Sequence, residues 1–234
     1  RDAFVSKLDS SGDYVWAKNF SHKNFVESFS VAVDSSGNVY TTGYFSGTVD
    51  FDPGAGTAEL TSTGSRDAFV SKLDSSGDYV WAKNFSHKNF VESFSVAVDS
   101  SGNVYTTGYF SGTVDFDPGA GTAELTAGGG EVWVHDVFVS KLDSSGDYVW
   151  AKSFGGTGTD YGYSVAVDSS GNVYTTGYFS GTADFDPGSG TTNLTSNGGI
   201  DVFVSKLDSS GNLANPSGVT VSKTTATVTE AGAS

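Results

Sequence analysis

The chain has 234 residues without a single cysteine or methionine, which excludes disulfide stapling, thiol catalysis and cysteine-ligated metals. Its 27 acidic against 12 basic side chains give a formal charge of −15 with no Lys/Arg cluster, which argues against nucleic acid or an anionic membrane as partner and favours solubility and attraction of cations. No apolar run approaches the roughly 18 residues of a membrane span, and an aromatic content of 14% supplies bulk for a core despite 31 glycines. The chain starts inside a repeat and lacks Met, so it reads as a segment of a longer precursor, with any signal peptide upstream.

From the first residue the chain repeats itself. Arg1 to Thr61 recurs letter for letter as Arg66 to Thr126, a diverged third copy starts at Asp136, and a fourth opens at Asp201. The successive offsets from Asp2 to Asp67, Asp67 to Asp136 and Asp136 to Asp201 are 65, 69 and 65 residues, the odd one coming from an expansion around Gly128 to Trp133. A long fixed period means that each unit buries its apolar face against its neighbours.

In the second copy, four stretches rich in β-branched and aromatic residues predict strands: Asp67 to Leu73, Tyr79 to Phe85, Ser95 to Asp99 and Val104 to Phe110. No 3.6-residue period appears. The small-residue stretch Ser95 to Val98 suits a crowded inner position, and the Tyr/Trp stretch a wider outer one. Asp-Ser-Ser-Gly begins at Asp9, Asp34, Asp74, Asp99, Asp143, Asp168 and Asp208. An Asp side chain bonds amides two residues on and Gly accepts positive φ, so these are hairpin turns. They lack the alternating ligands and terminal Glu of a calcium loop.

Tandem four-stranded antiparallel units are the pattern of a β-propeller. Three strings carry a closer resemblance: Asp-Ala-Phe-Val-Ser-Lys-Leu-Asp-Ser-Ser-Gly, Val149 to Gly156 (Val-Trp-Ala-Lys-Ser-Phe-Gly-Gly), and Tyr163 to Gly177 (Tyr-Ser-Val-Ala-Val-Asp-Ser-Ser-Gly-Asn-Val-Tyr-Thr-Thr-Gly). They resemble the bacterial SBBP-type β-propeller repeat over residues 1–212. The resemblance implies an all-β array of four-stranded blades in a secreted or surface-attached, often multidomain protein, and implies no catalytic residues. With the small-residue strand innermost, the chain holds two outer strands, two whole blades and three strands of another, about three and a quarter blades. Propellers typically need about four to eight. Completion by further sequence, by other chains, or an open and filamentous assembly are the alternatives.

After residue 212 the pattern changes. Residues 213–218, with Asn215-Pro216-Ser217-Gly218, read as a linker, and the β-branched run Val219 to Thr229 within 219–234 reads as a strand. That strand resembles the start of a Calx-β or immunoglobulin-like sandwich; alternatively it completes the last blade of its own or a neighbouring chain by β-augmentation.

Catalytic motifs are absent, with no Gly-x-Ser-x-Gly, Walker loop or His-Glu-x-x-His. His22 and His87 correspond to Gly156 in the third copy and His135 lies in the expanded junction, so all three read as solvated loop histidines. Gly155 to Asp160 opens like an RTX calcium nonapeptide, but Gly162 stands where a bulky residue belongs and there is one copy, so it reads as a blade connection. Calcium finds a better candidate in the repeated Asp-Phe-Asp-Pro-Gly, where Asp50 and Asp52, Asp115 and Asp117, and Asp184 and Asp186 place paired carboxylates on one face of an extended chain. The competing reading is a Pro-Gly turn with a solvated first Asp. Tyr14, Trp16, Tyr40 and Tyr44 and their copies are candidates for sugar stacking, against inter-blade packing. Sequons begin at Asn19, Asn84 and Asn193. The sequence thus predicts a non-enzymatic, extracellular structural or adhesive scaffold, self-associating as homo-oligomer or filament through blade faces or the terminal strand. A carbohydrate-binding propeller recognising surface glycans is the alternative. A lectin would expose these rings once per blade, whereas a scaffold would bury them.

Overall fold

A computed structural model describes residues 2–20, 25–86, 88–128 and 133–214. A hairpin, β1 (Ala3–Leu8) and β2 (Tyr14–Phe20), opens the chain. Next come β3 (Phe25–Val33), β4 (Val39–Ser46), a short ribbon of β5 (Thr48–Asp50) with β6 (Glu59–Thr61), then β7 (Asp67–Leu73) and β8 (Tyr79–Phe85). The second repeat copies this with β9 (Val91–Val98), β10 (Val104–Ser111), β11 (Thr113–Asp115), β12 (Glu124–Thr126), β13 (His135–Leu142) and β14 (Tyr148–Gly156). β15 (Tyr161–Val167), β16 (Val173–Asp184) and β17 (Asn193–Leu207) end it, the third ribbon being absorbed into the two long strands.

Pairing is antiparallel throughout the named sheets, in the orders β3-β4-β7-β8 and β9-β10-β13-β14, with β15-β16-β17 as a three-stranded unit joined to the latter where Gly155 and Gly156 of β14 pair with Asp184 and Ala183 of β16, and β1-β2 as a two-stranded one. The fold is therefore an incomplete β-propeller array of two full blades flanked by two partial ones. The small-residue strands β3, β9 and β15 are neighbours along the inner edge. There the Ser30 and Ser95 hydroxyls each accept a hydrogen bond, 3.2 Å, from the amide of Val96 and Val165 in the next blade. The inner strand is longer than expected, beginning at Val91 rather than Ser95. A bulge opposite Thr107 and Gly108 keeps it paired beyond the break in register.

Each apolar core lies between blades, not within one. The first joins Ala3, Val5, Trp16 and Phe20 of the hairpin to Phe69 and Leu73; the second joins Ala68, Val70 and Trp81 to Phe138 and Leu142; the third joins Val137, Val139 and Trp150 to Phe203 and Leu207. Blades are thus welded face to face by apolar area removed from water, each buried large side chain contributing about 1.5–3 kcal/mol.

The bulge explains one repeated glycine. A Cβ on Gly108 would stand 1.8 Å from the Glu92 carbonyl oxygen and 2.9 Å from the Phe138 ring lying across it, and Gly43 and Gly177 meet the same obstruction. The obstacle is backbone, so no rotamer relieves it. Gly108→Ala is expected to cost about 3 kcal/mol. Gly181→Ala, in open space at φ +70, is expected to cost about 1–2 kcal/mol from the left-handed backbone. Gly199→Ala, in open space, is expected to be near neutral. Urea unfolding of the three variants checks the ranking; equal losses would refute it.

Candidate interaction surfaces

The Asp-Ser-Ser-Gly turns do more than reverse the chain. In the turn from Asp74 the Asp Oδ1 accepts from the amides of Ser76 (2.8 Å) and Asp78 (3.0 Å), and Gly77 sits at φ +81. So shaped, the turn presents the Ser75 carbonyl to the preceding unit, where it accepts from Trp16 Nε1 at 3.2 Å and Lys7 Nζ at 3.0 Å. Trp81 and Lys72 bond the Ser144 carbonyl at 3.2 and 3.3 Å, and Trp150 and Lys141 the Ser209 carbonyl at 3.2 and 3.5 Å. Each of these lysines reaches its carbonyl from β1, β7 or β13. In the two full blades it also crosses a tyrosine ring, Lys72 over Tyr40 and Lys141 over Tyr105, both at 5.2 Å.

The aromatic rings weighed for sugar stacking are mostly consumed by this packing. Trp16 and Tyr44 are buried, Tyr40 fully so, as are their second-copy counterparts, while Tyr14 is exposed at the chain's open end. Burial between blades is the behaviour that separates a scaffold from a lectin.

A second contact varies from junction to junction. Arg66 bonds Glu92 of the next blade and lies over Tyr44, 4.9 Å from the ring centre, while the Tyr44 hydroxyl donates to Glu27 at 2.8 Å. Burial and this acceptor push the Tyr44 phenol up to about 12. One repeat later His135 stands at the Arg66 position and Tyr161 at the Glu92 position, the hydroxyl 3.1 Å from Nδ1. Both partners have changed together, an ion pair giving way to a neutral contact. His135 is half-buried among Phe90, Tyr109 and Tyr161, and burial lowers its pKa. It is not the solvated loop residue expected, because the insertion before it leaves it at the start of β13. His22 and His87 lie outside the described residues.

Beside this contact sit three buried carboxylates. Asp67 accepts from the amides of Thr63 (3.1 Å) and Gly64 (3.3 Å) and from Asn84 Nδ2 (3.1 Å). Asp136, its counterpart, keeps the Gly128 amide at 2.9 Å, has Ser153 at the sequence position that Asn84 holds for Asp67, and has no partner for its Oδ1 among the described residues. Asp160 replaces Val91 and accepts from Gly156 and Ser180 amides, both 3.1 Å. Burial drives Asp136 up to about 7, with the Asp160 charge adding to it, and Asp160 up to about 6.

The Asp-Phe-Asp-Pro-Gly motif caps each ribbon. Asp50 Oδ1 accepts from the amides of Asp52 (3.0 Å) and Ala58 (2.8 Å), and Asp52 Oδ1 from Gly54 (2.7 Å). Asp115 and Asp117, and Asp184 and Asp186, repeat the arrangement. One oxygen of each carboxylate thus shapes the loop. Among the described residues no three Asp, Glu or His side chains converge as metal ligands. Between the carboxylates Phe51, Phe116 and Phe185 turn inward and are buried. Phe116 meets Phe85 at 5.3 Å, Phe138 at 4.9 Å and Phe110 at 5.5 Å.

The two ends of the array leave residues bare that are buried elsewhere. At the head, Phe4 is 72% and Leu8 57% exposed, where Phe69, Leu73, Phe138 and Leu142 are buried. At the tail, Val202 is 58% and Val204 49% exposed, where Ala68, Val70, Val137 and Val139 show 0%.

Residues 149–185 match the family model of the SBBP β-propeller repeat. The matched stretch runs from Val149 in β14 through β15 to Phe185, and so spans the latch tryptophan, the inner strand, the bulge glycine and the buried Phe of the third repeat. The chain is also 25% identical over 228 residues to an uncharacterized WD repeat-containing protein of Acanthamoeba polyphaga mimivirus, an alignment taking in 84% of this chain and 16% of the relative. It spans about a sixth of that relative's length.

Sequence reasoning passed over two of these features. The inward Phe of Asp-Phe-Asp-Pro-Gly was overshadowed by its charged neighbours, although an apolar residue repeated three times between turn-forming residues signals an anchor. The receptor role of Asp-Ser-Ser-Gly was hidden because its partners lie 59 and 63 residues away. The strand expected at 219–234 and the Glu131 portion of the insertion lie outside the described residues.

Proposed function

We propose that the chain is a non-enzymatic repeat scaffold of an extracellular or cell-surface protein, acting by protein–protein contact through its blade faces, self-association included. The observation that carries this reading is that each apolar core lies between adjacent units and that turn carbonyls, tryptophans and lysines bond across the same seams, so the repeated surfaces are built for packing against one another. The secreted compartment rests on the SBBP resemblance and accords with an acidic, cysteine-free composition. The perturbed carboxylates Asp136 and Asp160 sit sealed in a blade junction at 5% and 1% exposure, a placement that suits packing rather than catalysis. Any calcium effect is proposed to originate at the Asp50/Asp52, Asp115/Asp117 and Asp184/Asp186 turns, through the oxygens that the loop amides leave free.

The test is the mass of the assembly over a concentration series, by light scattering, first with calcium and then with chelator. Growth of mass with concentration is expected. A monomer at all concentrations would overturn self-association, and mass unchanged by chelator would remove the calcium contribution.

A further inference from the structure

We propose that Asn197 is a modification site, an asparagine that converts spontaneously to aspartate and isoaspartate through a succinimide closed by the Gly198 amide.

The sequence singles out this residue. Asn197-Gly198 is the one Asn-Gly pair in the chain, and every other asparagine precedes Phe, Val, Leu or Pro. Asparagine is among the thermolabile residues. Ring closure brings the backbone nitrogen of the next residue onto the Asn side-chain carbonyl carbon, and a Cβ on that next residue crowds the approach. Glycine has no Cβ and tolerates the backbone angles that the approach demands.

The fold leaves the pair free to react. Pairing of β16 with β17 jumps from Thr182 with Thr195 to Ser180 with Ile200, so Ser196 to Gly199 bulge without partners in β16. Gly198 sits at φ +116, and a Cβ on Gly198 or Gly199 would meet nothing within 4 Å. The Asn197 amide is anchored, donating to Asp201 Oδ2 at 2.9 Å, while its side chain has no hydrogen bond among the described residues. By contrast Asn38, Asn103 and Asn172 donate through Nδ2 to Asp34, Asp99 and Asp168 at 2.7–2.8 Å, and Asn84 to Asp67 at 3.1 Å.

The opening belongs to the position and not to the end of the array. In the first repeat Thr63 holds the same place, its amide bonded to Asp67 as that of Asn197 is to Asp201, and Thr63 is exposed although a complete blade follows it. The Ser62 hydroxyl accepts from the Gly47 amide as the Ser196 hydroxyl does from Gly181. The two loops share one geometry and differ in the reactive side chain.

No oxidant or reductant is required, only water. The Gly198 nitrogen loses its proton and bonds to Asn197 Cγ, the Cγ–Nδ2 bond breaks, and that nitrogen leaves as ammonia. Water then opens the ring at Cγ, giving aspartate, or at the backbone carbonyl carbon, giving isoaspartate with the chain routed through the side chain. Either product puts a new carboxylate beside Asp201, whose own carboxylate already accepts the amide of residue 197.

Peptide mapping by mass spectrometry during incubation in mildly alkaline buffer, with the chain folded and in urea, tests the site. In the folded chain Asn197 is expected to exchange amide for acid about tenfold faster than any other asparagine, because no Cβ crowds the attacking nitrogen, and at a rate within severalfold of that in urea. Labelling by isoaspartyl methyltransferase is expected to mark the product, and ion exchange to show one added negative charge. Asn197→Thr, which places here the residue type of the first repeat, is expected to fold like the parent by circular dichroism and to lose the labelling. Conversion of Asn197 in urea but not in the folded chain would overturn the proposal, as would faster loss at another asparagine or labelling that survives Asn197→Thr.

Discussion

Phe116→Ala is expected to lower the unfolding free energy by about 3–5 kcal/mol, the usual range for deleting a buried phenyl ring. The ring is fully buried and meets Phe85 of the preceding blade together with Phe110 and Phe138 of its own. Its loss therefore opens a cavity at the seam between the two complete blades rather than inside either. In an array whose stability is a sum of unit and nearest-neighbour terms, weakening a seam reduces cooperativity as well as stability. The slope of a urea melt should fall along with the midpoint. Phe51→Ala, at the seam with the two-stranded hairpin, should cost less in both respects. A loss under about 1 kcal/mol for Phe116→Ala, or an unchanged slope, would show that the seams are not what holds the blades together.

The strand order was legible because repetition displays it: four β-rich stretches per period, bounded by identical turns, leave little choice of topology. The partial blades at both ends followed from counting strands against the period. Burial of Trp16, Tyr40 and Tyr44 was open in the sequence, since period-2 aromatics suit an exposed platform and a packed seam equally, and only the face-to-face stacking decides between them. The short ribbons were missed because Thr48 to Asp50 and Glu59 to Thr61 are three-residue strands, too short for one apolar residue between two polar ones to stand out as alternation. The seam chemistry was the least legible part. Arg66 and Glu92, His135 and Tyr161, and Asp67 and Asn84 are brought together from distant parts of the sequence, and two identical copies hide which positions are free to vary. The third copy supplied the signal: its departures at His135, Ser153, Asp160 and Tyr161 fall at one junction.

That junction gives the array a pH dependence whose direction follows from Asp136. In the unfolded chain its carboxyl titrates near 3.8, and in the fold burial raises it to about 7. A folded value above the unfolded one means that the penalty is absent below pH 4. It grows as pH rises through the unfolded value, because there the unfolded chain ionises and the folded one does not, and it levels off above about pH 7. At about 1.4 kcal/mol per tenfold, the full penalty is about 4 kcal/mol for Asp136, with Asp160 acting in the same direction. Asp136→Asn keeps an oxygen for the Gly128 amide and removes the charge. It is expected to match the parent at pH 4 and to exceed it by several kcal/mol at pH 7.5, read from urea melts at the two pH values. Ser153→Asn should achieve part of the same gain by supplying the amide that Asn84 gives Asp67, and should add nothing once Asp136 is already Asn. Burial also raises Asp67, against the pull of its three donors, so Asp67→Asn, which gives up acceptor capacity that those donors use, should gain less between pH 4 and 7.5 than Asp136→Asn. Parallel stability curves for Asp136→Asn and the parent from pH 4 to 7.5 would mean that Asp136 reaches water or a cation in solution and carries no such strain.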